Sequence, residues 1–182
     1  MKGIVFSEFI ELVEEKFGFN MADDIIEKCQ LSSEGAYTQV GVYDHQELID
    51  LVTKLSEETN ISAEDLVKTF GHHLLLKLTK SFPQYFTGIN TCFEFFDTIE
   101  TRVHVEVKKL YPEAELPTFE HSFLNENTMQ MIYRSKKPFS ALAYGMMMGS
   151  ADYFNEKIKI KMKDLSENGE SHVIFNLTKV VG

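Results

Sequence analysis

A chain of 182 residues, 43% hydrophobic and 25% charged, is long enough for one domain with a substantial core, and two would be cramped. Its net charge of −10 argues against a nucleic-acid or anionic-membrane surface, and no apolar run approaches the roughly 20 residues that a membrane helix needs. The opening residues form neither a signal peptide nor a basic transit peptide, so a cytoplasmic protein is expected, and Cys29 and Cys92 lack metal-type spacing and are expected as reduced thiols.

From Val5 to Phe17 the apolar residues Phe6, Phe9, Ile10, Val13 and Phe17 recur at helical spacing, and Gly18 ends the run. Met21 to Cys29 predicts a short second helix, and Leu31 to Tyr43, rich in Gly, Ser and Tyr, a connecting loop. Asp44 is a fitting N-cap for a third helix through Leu48, Leu51, Val52 and Leu55. Ser62, with Asp65 three residues on, opens a fourth that carries Leu66, Phe70, Leu74 and Leu78 on one face. Pro83 and Gly88 interrupt the chain before Cys92 to Tyr111, where Cys92, Phe96, Ile99, Val103, Val107 and Leu110 form an apolar stripe on one predicted helix.

After Leu110 the period changes to two. Thr118 to Leu124 and Met129 to Ser135 alternate as strands joined by Asn125-Glu126-Asn127. Pro138 suits the start of a helix that carries Leu142, Met146, Met147, Ala151 and Phe154. Ile158, Ile160 and Met162, a turn at Asn168-Gly169, and Val173, Phe175 and Leu177 form a closing hairpin. The sum is α+β, with a helical N-terminal part, an antiparallel sheet and an inserted helix in one unit over residues 1–182.

His104 lies on the flank of the stripe, in line with Phe93, Asp97, Glu100 and Tyr111, so its imidazole leaves the predicted helix between aromatic packing and polar surface. Pro117 follows thirteen residues later, and Tyr133-Arg134-Ser135-Lys136-Lys137 begins twenty-nine after it. A helical histidine, a proline and then Tyr-x-Ser-x-Arg/Lys resemble the heme-nitric oxide/oxygen binding (H-NOX) family, relatives of the heme domain of soluble guanylate cyclase. Met1-Lys2-Gly3 and Phe82-Pro83-x-Tyr85-Phe86 extend the resemblance over nearly the whole chain.

The resemblance implies helices on one side of a heme b (iron protoporphyrin IX) and a four-stranded antiparallel sheet behind it. It implies His104 as the proximal iron ligand, Pro117 pressing on the porphyrin, and Tyr133 and Ser135 on the propionates. Alternation points the two hydroxyls to one side of the strand and turns Arg134 away. Most relatives have arginine where this chain has Lys137, a point charge without the planar fork, so a looser clamp is expected.

Oxygen-binding members carry a distal tyrosine nine residues beyond the motif tyrosine, where this chain has Leu142. Tyr144 falls about 200° around the helix from Leu142 and should not reach the same spot. Matching the helices also places Val5, Phe9, Leu74, Leu78 and Met146 on the distal face, all apolar. A nitric oxide sensor that discriminates against oxygen follows as the expectation, with carbon monoxide a further possible ligand. Its output would pass in trans to a histidine kinase or diguanylate cyclase, because the chain starts at a methionine and stops after the last strand. The competing readings are a cofactor-free interaction domain and a peroxide-active heme protein. The apolar distal residues offer no general acid or base for the latter, and no enzyme is expected. His72 and His73, about 100° apart on a helix, cannot share a metal without distortion, and one or both are expected at the surface.

Overall fold

Residues 1–180 are described by a computed structural model, and the last two residues of the predicted unit lie outside the described residues. The four early helices form where periodicity places them: α1 (Gly3–Phe17), α2 (Phe19–Lys28), α3 (His45–Thr59) and α4 (Ala63–Ser81). Asp44 accepts from the Gln46 N–H, and Ser62 from the Asp65 N–H at 3.1 Å, each satisfying a backbone donor that a helix start leaves unpaired. Gly18, at φ 89°, turns α1 directly into α2. The apolar faces of these helices enclose Phe6, Phe9, Val13, Leu51 and Phe70 in a first core. The loop before α3 is pinned by a feature with no sequence signature. The buried Glu47 carboxylate accepts from Ser32 Oγ at 2.5 Å, Ser33 Oγ at 2.5 Å and Tyr37 Oη at 2.8 Å.

A second core lies on the sheet. Strands β1 (Thr118–Asn125), β2 (Thr128–Ser135), β3 (Ile158–Asp164) and β4 (Ser171–Lys179) are all antiparallel in the order β1-β2-β4-β3. Tyr133 pairs with Phe119 on one side and Val173 on the other. Alternation puts Met129, Met131, Tyr133, Val173, Phe175 and Leu177 on the inner face, each at most 2% exposed. A later helix, Ser140–Tyr153, crosses between β2 and β3 and packs along α4. Their approach is close because both are bare at the crossing: a Cβ on Gly145 would run into the Lys68 carbonyl, and one on Gly71 into that of Leu142.

The predicted helix from Cys92 to Tyr111 is in fact broken. It divides into α5 (Cys92–Asp97), a π-helical turn (Ile99–Val103) and α6 (His104–Leu110), so the crossing helix Ser140–Tyr153 is α7. Phe93, Phe95 and Phe96 are all buried, with Phe95 stacked on Phe86 at 4.6 Å between centroids, and so many large rings exceed what one straight α stripe can cover. The turn adds a residue: the Thr98 carbonyl accepts from both the Arg102 N–H at 2.9 Å and the Val103 N–H at 3.2 Å. Leu110, expected in the stripe, is 63% exposed. No described helix is long and apolar enough to cross a membrane.

Candidate heme site

His104 opens α6 immediately after the π turn, which is itself held from outside: Arg102 donates from its guanidinium to the Gln84 carbonyl at 2.6 Å and the Thr87 carbonyl at 3.3 Å. The N-terminal end of α5 is tied as firmly. Glu156 accepts from the Cys92 N–H at 2.6 Å and pairs with Lys179 at 2.8 Å, linking α5 to the last strand. The His104 ring is largely buried, 6.1 Å from the Phe119 ring. Its Nδ1 stands 3.0 Å from Glu100 Oε1. A carboxylate there can only accept, so Nδ1 carries the proton and Nε2 keeps the lone pair. Burial holds the imidazole below its ordinary pKa, against the opposing pull of Glu100, and so favours the neutral, ligating form.

The Tyr-x-Ser-x-Lys run sits at the end of β2. Tyr133 is buried, with its ring 5.4 Å from that of Phe119. Burial raises the phenol's pKa, so it stays a neutral donor. The Ser135 hydroxyl accepts from the Lys137 N–H at 3.0 Å, and the Lys137 carbonyl accepts from Ser171 Oγ at 3.0 Å. Arg134 points away and is exposed, 3.6 Å from Glu120, as alternation requires. Lys137 is well covered, and its ammonium rests 3.1 Å from the Glu115 carboxylate, which it holds below the usual carboxylate range. Ser135 and Lys137 form one wall of an open groove of about 840 Å³ at this end of the sheet. Pro117 is half-buried just ahead of β1.

The six residues assigned to the distal face all belong to or pack against the first core. Phe9 and Leu74 are buried in the first core, and Val5, Leu78, Leu142 and Met146 pack against it while staying partly exposed. None carries a hydroxyl, amide or charge. Met146 also touches the sheet-side core, so α7 joins the two. Tyr144 turns elsewhere, its ring 4.7 Å from the Lys68 ammonium. Of the adjacent histidines one is near the surface, as expected. His72 pairs with Asp152 at 2.7 Å near the surface, whereas His73 is largely covered, 3.6 Å from Glu8 on α1.

These residues fit a heme. The donor set offers one neutral imidazole for iron, and the cation at the clamp already holds a carboxylate, the group that a propionate presents. Among the described residues no three His, Cys, Asp or Glu side chains gather to hold a metal. Periodicity placed Glu100 in line with His104 without giving it a role and missed Phe119; both lie beside His104. Glu100 has one visible signal, its i, i+4 spacing to the histidine; the role of Phe119 appears only once β1 is placed.

Residues 2–162 match the sequence model of the haem-NO-binding family. Solved structures agree over essentially the full length. The Fe(II) unliganded H-NOX protein from K. algicida is 37% identical, with 100% of this chain and 98% of that chain covered at a TM-score of 0.93. The IWP-051-bound H-NOX from Shewanella woodyi in the Fe(II)CO state is 42% identical, with 99% and 95% covered at 0.84. An H-NOX protein from S. oneidensis in the Fe(II)NO state is 25% identical, with 100% of each chain covered at 0.91. No curated protein matches the chain.

Proposed function

The chain belongs to the haem-NO-binding family, whose H-NOX domains are heme-based gas sensors, and on that premise we propose a sensor that binds nitric oxide and discriminates against oxygen. Heme b would supply a ferrous iron with a coordination position open to a diatomic gas, nitric oxide above all and carbon monoxide as well. His104 would hold the iron through Nε2, its Nδ1 proton kept by Glu100. Tyr133, Ser135 and Lys137 would hold the propionates, with Lys137 exchanging the Glu115 carboxylate for one of them. Pro117 would bear on the ring from the start of the sheet.

Selectivity would come from the other side. Val5, Phe9, Leu74, Leu78, Leu142 and Met146 are apolar and offer no hydrogen bond. Bound oxygen carries partial negative charge and gains about 1.5–3 kcal/mol from a donor, whereas nitric oxide is nearly indifferent to one. That donor-free distal cluster is the observation that carries the reading. Release of the His104 ring would be the signal, freeing α6 and the sheet to relax and changing the surface that a partner protein meets. A cytoplasmic histidine kinase or diguanylate cyclase acting in trans is the partner class, and the work of the chain is binding, not turnover.

An absorption spectrum of the purified, reduced protein under argon, then in air, then with nitric oxide tests this. A heme band unchanged by prompt air and shifted by nitric oxide to a five-coordinate form is the expected result. A band altered by air would overturn the discrimination against oxygen, and no band after heme reconstitution would overturn the sensor reading.

A further inference from the structure

We infer that Glu100 is a positioning residue that straps the His104 ring to the first strand of the sheet, so that the ring and the start of β1 move together; this rests on His104 being the iron ligand. The same oxygen, Glu100 Oε1, stands 3.0 Å from His104 Nδ1 and accepts from the Phe119 N–H at 2.8 Å. An i, i+4 Glu–His pair on a helix is commonplace and worth only a few tenths of a kcal/mol. Two observations set this one apart. The His104 side chain is only 17% exposed, and the second donor comes from a different element, nineteen residues away.

The second donor has its own reason to be there. β1 is the edge strand of the order β1-β2-β4-β3, so every other N–H along it lacks a ladder partner. Glu100 satisfies the one at Phe119, an N–H held from the π turn that precedes His104 and not by the sheet ladder. The Phe119 ring completes the connection, 6.1 Å from the His104 ring and 5.4 Å from that of Tyr133. One residue thus touches both the ligand and the clamp.

The π turn supplies room for movement. Glu100 lies inside it, and the Thr98 carbonyl is shared between an i−4 donor, Arg102, and an i−5 donor, Val103. The turn stands between α and π bonding, and π turns of this kind concentrate at functional positions. A ring that leaves its place pulls on a carboxylate whose other hydrogen bond is the backbone of β1. With the ring in place, an Nδ1 proton given to a carboxylate also makes Nε2 a stronger donor than one given to a carbonyl or amide.

The test uses the full chain loaded with heme and the variants Glu100→Gln and Glu100→Ala, the first nearly isosteric so that folding is kept. The iron–histidine stretching band of the ferrous protein should move to lower wavenumber in both, further in the alanine variant. Amide exchange at Phe119 should quicken in Glu100→Ala, on the order of tenfold, and stay nearer wild type in Glu100→Gln, which keeps an acceptor. In the wild type it should quicken when nitric oxide is added. An unchanged stretching band together with unchanged Phe119 exchange in a loaded Glu100→Ala protein would overturn the inference and leave the sensor reading standing. A wild-type chain that takes up no heme would overturn both.

Discussion

The two sides of the candidate site are built from different interactions. On the proximal side each important position is fixed by directional polar contacts: Glu100 to His104 and Phe119, Arg102 to two carbonyls, Glu156 to Cys92 and Lys179. At the positions proposed for the distal side, Val5, Phe9, Leu74, Leu78, Leu142 and Met146 belong to or pack against one apolar core. Under the proposed function the difference has a reason: a ligand atom must be aimed, and hydrogen bonds aim, whereas a gas site that is to refuse oxygen must lack donors. The contrast also says where movement is defined. Polar straps with few partners break at identifiable bonds, whereas a packed apolar face yields only as a body.

The largest break in this contrast is His104→Ala. With the aimed nitrogen removed, stable heme loading should be lost and then restored by added imidazole, as absorption spectroscopy would show; stoichiometric retention without imidazole would contradict the assignment. Leu142→Tyr places a polar donor on the apolar side. It should raise oxygen affinity roughly ten- to a hundredfold, for a hydrogen bond of about 1.5–3 kcal/mol, and a ferrous spectrum still unchanged in air would count against this account of the pocket.

Gly145→Ala probes the packing that carries Leu142 and Met146. Its Cβ meets the Lys68 carbonyl, so α4 and α7 must part, and a loss of about 1–3 kcal/mol is expected in denaturant unfolding. The smallest effect concerns a polar pair beside the distal face. His73 is largely covered near Glu8, and burial lowers its pKa below the unfolded value of about 6.5. The unfolded chain then binds the extra proton first. The histidine's contribution is complete above that value and is lost as pH falls through the folded pKa. His73→Gln should flatten the pH dependence of stability in that window by under about 1 kcal/mol, measurable as a loss of slope in unfolding midpoints against pH.

Much of this molecule is legible as text. The helices to Ser81 and the four strands follow from apolar periods of 3.6 and 2 and from caps such as Asp44 and Ser62, because each depends on neighbours a few residues away. The histidine, the Tyr-x-Ser-x-Lys run and the leucine in place of a distal tyrosine are equally local. Tertiary structure alone decided the rest. The break of Cys92–Tyr111 into two helices and a π turn depends on three buried phenylalanines and on Arg102 reaching back to Gln84 and Thr87. His73 is largely covered beside Glu8 of α1, and His72 lies near the surface. Lys137 finds Glu115, and Glu100 finds Phe119, across chain separations that no period encodes. Short-range spacing determines which face of an element is apolar, but the partner of a polar atom depends on where another element comes to rest.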